Sequence, residues 1–353
     1  MGDKIKAAVV GLKAGGGHAG HYASSPHVGE VVICDIDQER LTGTGDKYAI
    51  SKRYTDYDRM LLEEKPDVVS VAAPNFLHLP FTVKALEAGA HVLVEKPMAR
   101  NSSEAQEMLE CAKRCGKKLM IHFNQRFQKE VLALKQVIDE GKLGEIYFIR
   151  TAWKRRRGVP WWYPLASGKE TCGGGALIDL GVHVLDRTMW LCGFPEPEWI
   201  LGNTFNKLSR EEAAQKGINF ELEDMAVAMF RMKNGAMLEL EASWASNREN
   251  EAVMTRLYGT KGGALLESVV SPDKSITTKL FLEENGVLTD YNLHDIIKDV
   301  QAGNVRQAFI DAIVNDTEVP CTPEQGVMIN KMLDLVYESA KNRTPVKWES
   351  SDK

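Results

Sequence analysis

The sequence predicts an α/β chain of two domains: a doubly wound parallel sheet over residues 1–125, then an α+β domain with an open, mostly antiparallel sheet over 126–353. Three observations carry this. The 353 residues exceed what one ordinary core organises and suffice for two. Residues 6–122 alternate short apolar, β-branched runs with longer amphipathic stretches, the pattern of a parallel sheet covered on both faces. From about Gly144 the character changes, and the run Ala236–Trp244 alternates apolar and polar side chains, as in a sheet with one buried face.

In chain order, the first-domain strands are Ala7–Val10, Val31–Cys34, Val68–Ala72, Val92–Val94 and Lys118–Ile121. Among the helices between them, Ser103 and Gln106 suit a capping box ahead of Ala105, Met108, Leu109 and Ala112 at helical spacing. The second domain offers strands at Glu145–Ile149, Met225–Phe230, Ala236–Trp244 and Val253–Tyr258. Thr322, Pro323 and Gln325 then supply N-cap, first-turn proline and third-position glutamine for a long helix ending near Lys341, which is expected to pack back on the first domain.

Composition narrows the function. A net charge of −5 argues against nucleic acid as the main partner, despite the local cluster Lys154-Arg155-Arg156-Arg157. There is no apolar run long enough to span a bilayer, and the start leads straight into a strand, so no membrane partner and a cytoplasmic location are expected. Six cysteines have neither zinc-site spacing nor the density of a disulfide scaffold; Cys111 and Cys115 read as two small residues on one helix face.

The chemistry-bearing segments follow strand ends. Strand one runs into Gly11-Leu-Lys-Ala-Gly-Gly-Gly-His18, a loop suited to a pyrophosphate at a helix N-terminus, with Gly11, Gly15 and Gly16 as its glycines. Lys13 stands where a dinucleotide fingerprint has its second glycine, and its side chain either pairs with phosphate or crowds it. Asp35 closes strand two, where a carboxylate accepts both ribose hydroxyls and favours NAD over NADP; the competing role is a turn or helix cap. Ile36 follows it. Pro74, Asn75 and His78 after strand three, and Glu95-Lys96-Pro97 after strand four, lie where the nicotinamide end of a cofactor belongs. Pro97 holds Lys96 in an extended conformation. Asp179 and His183, four apart, share a helix face, and Gly173–Gly175 let the chain pass close to a bound ligand. The competing role for this pair is a capping aspartate and a satisfied core histidine.

These segments resemble the Gfo/Idh/MocA family of oxidoreductases, relatives of glucose–fructose oxidoreductase and inositol dehydrogenase. The likeness rests on Glu95-Lys96-Pro97, Pro74-Asn75 with His78, Asn124-Gln125-Arg126-Phe127, Gly173 through Asp186, Tyr258 through Gly262, and the C-terminal helix with Pro345-Val346. It implies an N-terminal Rossmann domain, NAD as cofactor, and a catalytic set of Lys96, Asp179 and His183, with Gln125 on the cofactor side. His183 would take the hydroxyl proton as hydride leaves the carbon, and Lys96 would stabilise the oxygen. Arg126, Arg156, Trp162 and Tyr163, with Lys96, Asp179 and His183, are the candidate contacts for a sugar, glycoside or inositol. Trp161 and the neighbouring arginines are placed at the mouth of the site. No metal is expected, because Asp179 and His183 have no third ligand in sequence. The half-apolar strands suggest a homodimer or homotetramer. Two other readings stay open: a redox-assisted glycoside-cleaving enzyme that keeps its NAD, and a non-catalytic sugar or nucleotide sensor.

Overall fold

A computed structural model describes residues 4–161, 168–218, 220–271, 274–296 and 298–349. The chain divides into two compact units, 1–123 with 304–330, and 124–303 with 331–353. The first boundary falls two residues before the expected one. The larger difference is that 304–330 belongs to the first unit and not to the second.

The first unit is a six-stranded, wholly parallel sheet in the order β3-β2-β1-β4-β5-β6. Its strands are β1 (Ile5–Val10), β2 (Val28–Cys34), β3 (Lys52–Tyr54), β4 (Val68–Val71), β5 (His91–Val94) and β6 (Leu119–Ile121). Helices α1 (Leu12–Ser24), α2 (Gln38–Lys47), α3 (Tyr57–Glu64), α4 (His78–Glu87) and α5 (Ser102–Cys115) form the crossovers. Continuous runs such as Val68-Val-Ser-Val71 are buried at every position, as a sheet covered on both faces demands. The order reverses between β1 and β4, the switch point beyond whose carboxyl ends ligands bind in such sheets. The short edge strand β3, Lys-Arg-Tyr, has no apolar run to announce it. Helix α5 is capped by Asn101, whose side chain accepts from Glu104 N at 2.9 Å, two residues ahead of the expected Ser103.

The second unit holds a nine-stranded mixed sheet, order β14-β13-β12-β11-β7-β10-β9-β8-β15, antiparallel except for β7 beside β10. Its strands are β7 (Ile146–Lys154), β8 (Pro197–Phe205), β9 (Met225–Met232), β10 (Met237–Ser243), β11 (Glu251–Gly259), β12 (Gly262–Ser271), β13 (Ser275–Glu284), β14 (Val287–Asn292) and β15 (Val346–Lys347). Four strand segments were legible in sequence. Helices α6 (Lys129–Asp139), α7 (Gly168–Cys172), α8 (Val182–Leu191), α9 (Leu208–Gln215) and α10 (Leu293–Ile296) accompany them. Strand β9 alternates buried and accessible positions, with Met229 40% exposed on the open face. The last helices are α11 (Val305–Val314) and α12 (Pro323–Asn342), the latter opened as expected by Thr322, whose Oγ1 accepts from Gln325 N at 3.3 Å.

Candidate active site

In the first unit the functional side chains gather at the carboxyl ends of the strands. Gly11, at φ 87°, turns the chain from β1 into α1, and a Cβ there would stand 2.5 Å from the Ala72 carbonyl oxygen. Both the conformation and the close approach demand glycine. Gly15 is the glycine that lets α1 lie on the sheet, since its Cβ would meet Val9 at 2.7 Å; Gly16 has nothing closer than 4.0 Å. Lys13 is exposed in the first turn of α1, whose N-terminus carries the partial positive charge that suits phosphate.

Asp35 plays the capping role at the carboxyl end of β2. Its Oδ2 accepts from Leu12 N at 2.6 Å, closing the start of α1, and its Oδ1 accepts from Asp37 N at 2.8 Å. Each carboxylate oxygen keeps a further lone pair. Arg40 reaches Asp35 at 3.7 Å and Asp37 at 3.1 Å, so two carboxylates already engage the nearest guanidinium. Ile36, 91% exposed, offers a bare apolar surface beside them. These residues fit a dinucleotide: a glycine cradle, an exposed helix N-terminus and a carboxylate at the tip of β2.

After β4, Pro74 precedes a short 3-10 turn, Asn75–Leu77, and His78 opens α4. The buried His78 ring ties two strand-end loops together, with Nδ1 2.8 Å from the Pro97 carbonyl and Nε2 2.9 Å from that of Ala73. Burial lowers its pKa, the backbone contacts opposing. Lys96 is partly exposed at the end of β5, and Glu95 anchors it: Oε2 accepts from Lys96 N at 3.2 Å. The other oxygen of Glu95 lies 3.0 Å from both His18 Nε2 and His122 Nδ1. Burial raises the Glu95 pKa, yet the two imidazoles outweigh it and hold the carboxyl well below its ordinary range. Burial also drives His18 down to about 4 against the pull of Glu95.

In the second unit, Asp179 lies in a π-helical turn, Leu177–Gly181, that runs into α8 with His183 near its start. Between buried neighbours these two positions alone from Cys172 to Met189 are accessible. Trp244 Nε1 donates to Asp179 Oδ2 at 2.8 Å, and the Trp153 ring lies 5.4 Å from that of His183. Single π turns recur at functional sites. The start of this helix is held by Glu223, whose carboxylate accepts from Gly175 N at 2.9 Å, Leu177 N at 3.0 Å and Tyr337 Oη at 2.8 Å. Burial nonetheless raises the Glu223 pKa. A Cβ on Gly174 would stand 1.9 Å from the Tyr337 hydroxyl and one on Gly175 2.1 Å from the Glu223 carbonyl oxygen. Gly174 and Gly175 are therefore required by these internal contacts.

Other expected residues are placed differently. Arg126 is 2% exposed, and its guanidinium grips Asp186 through Nε at 3.0 Å and Nη2 at 2.5 Å. Its donors are engaged inside the unit, so it leaves the set of substrate contacts. Gln125 is buried, 5% exposed. Arg156 is exposed beside Arg155, which bonds Glu251, and Arg157, which bonds Asn247. Trp161 packs on a buried cluster with Phe220 and Trp244. Trp162 and Tyr163 lie outside the described residues. Sequence reasoning missed Trp153, Trp244 and Glu223 around the Asp179 helix, and His18 and His122 around Glu95; Trp244 ends a strand it did identify, while the others carry no local signal.

Comparison with known proteins agrees with this geometry. Residues 5–123 match the model of the Gfo/Idh/MocA oxidoreductase family's NAD-binding Rossmann fold, and 135–348 match that of its C-terminal alpha/beta domain. The D-glucoside 3-dehydrogenase of Escherichia coli (strain K12) is 33% identical over 335 residues, 93% of each chain. A putative UDP-kanosamine synthase oxidoreductase subunit of Amycolatopsis mediterranei is 30% identical over 81% of this chain and 82% of that protein. Among solved structures, the aldose-aldose oxidoreductase from Caulobacter crescentus superposes with a TM-score of 0.82 at 24% identity, over 98% of this chain and 100% of that one. The shared fold, the two family matches and the one-third identity to a full-length relative establish that the chain belongs to the Gfo/Idh/MocA family of oxidoreductases.

Proposed function

We propose that this oxidoreductase is an NAD-dependent dehydrogenase acting on a ring carbinol of a sugar or glycoside. The observation that carries the cofactor choice is Asp35, whose carboxylate stands at the tip of β2 beside the Gly11 turn while Arg40 is engaged by Asp35 and Asp37. A 2′-phosphate there would meet a carboxylate instead of a free guanidinium. The identity to a D-glucoside 3-dehydrogenase supports a glycoside or related sugar as substrate.

NAD supplies the hydride acceptor. Lys96 donates a hydrogen bond to the substrate oxygen and stabilises it as the carbonyl forms. His183 receives the hydroxyl proton, and Asp179, its Oδ2 held by Trp244, orients the substrate or the imidazole. Glu95 fixes the Lys96 backbone through its amide. The open face of the second sheet, with Leu201 and Met229 each 40% exposed, supports a homodimer or homotetramer, and light scattering showing a monomer at micromolar concentration overturns that part.

The test is absorbance at 340 nm with NAD or NADP over glycosides, free sugars and inositols, beside Lys96→Ala. NADH formation with one substrate class, reduced about a hundredfold or more in the variant, is the expected result. Aglycone release without NADH indicates the redox-assisted cleaving enzyme, and cofactor binding without turnover indicates the sensor; either outcome overturns the reading.

A further inference from the structure

Three potential metal ligands meet in the first unit outside the Asp179–His183 motif: His18 on α1, Glu95 after β5 and His122 after β6. Their ligand atoms lie within 4.8 Å of one another. His18 Nε2 and His122 Nδ1 each stand 3.0 Å from the same Glu95 oxygen, and the ring centroids are 4.6 Å apart. The side chains are 0%, 16% and 5% exposed for His18, Glu95 and His122.

One further feature fits a metal centre. The far nitrogen of His18, Nδ1, lies 3.1 Å from Ser70 Oγ, which in turn lies 2.7 Å from the Tyr22 hydroxyl. Such an outer tether fixes the orientation of a ligating imidazole.

We propose that His18, Glu95 and His122 form a binding site for a first-row divalent cation, zinc foremost. Two imidazoles and one carboxylate are a recurrent zinc donor set that leaves a fourth position open, and imidazole donors favour zinc, copper or nickel over magnesium and calcium. Metal–ligand bonds of about 2.0–2.2 Å in a tetrahedron separate neighbouring donors by about 3.3–3.5 Å. The two 3.0 Å contacts open to that spacing by a few tenths of an ångström, while the two histidine nitrogens, within 4.8 Å of each other, close toward it. Net charge at the donors is that of one carboxylate, so the cation meets a partly neutralising pocket. Since Glu95 also holds the Lys96 amide, occupancy is expected to alter turnover, a corollary that rests on the proposed function; the binding itself does not.

The test uses full-length, tag-free protein stripped with chelator, reloaded with zinc or cobalt at micromolar concentration, desalted and assayed for metal. About one equivalent is expected in the wild type, and about a tenth or less in His122→Asn and in Glu95→Gln. Less than about a tenth of an equivalent in the wild type, or wild-type loading in both variants, overturns the site. Should either variant unfold, the cobalt-loaded wild type decides: visible bands of a four- or five-coordinate nitrogen and oxygen site support it, and a thiolate charge-transfer band overturns it. Metal content is read without turnover, so failure of the dehydrogenase reading leaves this test intact.

Discussion

Asp186→Asn is expected to destabilise the second unit more than removal of any surface ion pair. Asp186 is 1% exposed and faces the Arg126 guanidinium, itself 2% exposed and stacked 5.2 Å over the Phe194 ring. Next to it Arg187 is also buried, its Nη2 donating to Thr255 Oγ1 at 2.6 Å, and burial, opposed by Asp186, brings its pKa down to about 10. Neutralising Asp186 therefore removes the carboxylate that two buried guanidinium groups share. Removing one partner of a buried pair costs roughly 3–5 kcal/mol, which at about 2–4 °C per kcal/mol lowers Tm by roughly 6–20 °C. Burial holds the Asp186 pKa above its ordinary value even against Arg126, so the pair does not fully offset its own desolvation. Replacing both, as Arg126→Met with Asp186→Leu, removes the Arg126 charge as well but still leaves Arg187 without its neighbour, so it is expected to cost clearly less than the summed singles without reaching wild type. Urea unfolding followed by circular dichroism across the double-mutant cycle measures this. A single variant within about 1 kcal/mol of wild type, or a double variant as costly as the summed singles, would refute the reasoning.

Two further expectations concern the first unit. Asp35→Ser keeps a hydroxyl able to cap Leu12 N but removes the charge that opposes a 2′-phosphate and leaves Arg40 with Asp37 as its one carboxylate partner of the two; the ratio of kcat/KM for NAD over NADP is expected to fall at least about tenfold, about 1.4 kcal/mol, and a wild-type preference for NADP would contradict the assignment. Glu64 accepts from Lys52 at 2.6 Å, Tyr54 at 2.7 Å and Lys6 at 3.1 Å. Burial raises its pKa, but these bonds outweigh it and bring the carboxyl to about 2 from 4.5. A depressed folded pKa gives stability that is present above about pH 4.5 and lost as pH falls toward about 2. The gap in urea midpoint between wild type and Glu64→Gln should thus be widest at neutral pH and shrink below pH 4.5; a gap independent of pH would contradict the pairing.

The amino-acid sequence by itself determined what is written over short spans. The β-branched runs that became β1, β2, β4, β5 and β6, the Gly11 turn, Asp35 at the end of β2 and Lys96 before Pro97 are local patterns. Asp179 and His183 share a face because helical geometry places residues four apart together. Tertiary structure decided whatever depends on partners distant in the chain. His18 meets Glu95 across 77 positions, Arg126 meets Asp186 across 60, and Gly175 meets Glu223 across 48. No periodicity records such pairs. That is why Arg126 was expected at the substrate yet is spent inside a core, and why Gly15 rather than Gly16 carries the packing of α1. It also explains why residues 304–330 return to the first unit: Cys321 lends its carbonyl to Ile121 N of β6 at 3.2 Å, a bond between segments 200 residues apart. Side-chain type and spacing fix local geometry and candidate chemistry, whereas burial and charge pairing are properties of the folded neighbourhood.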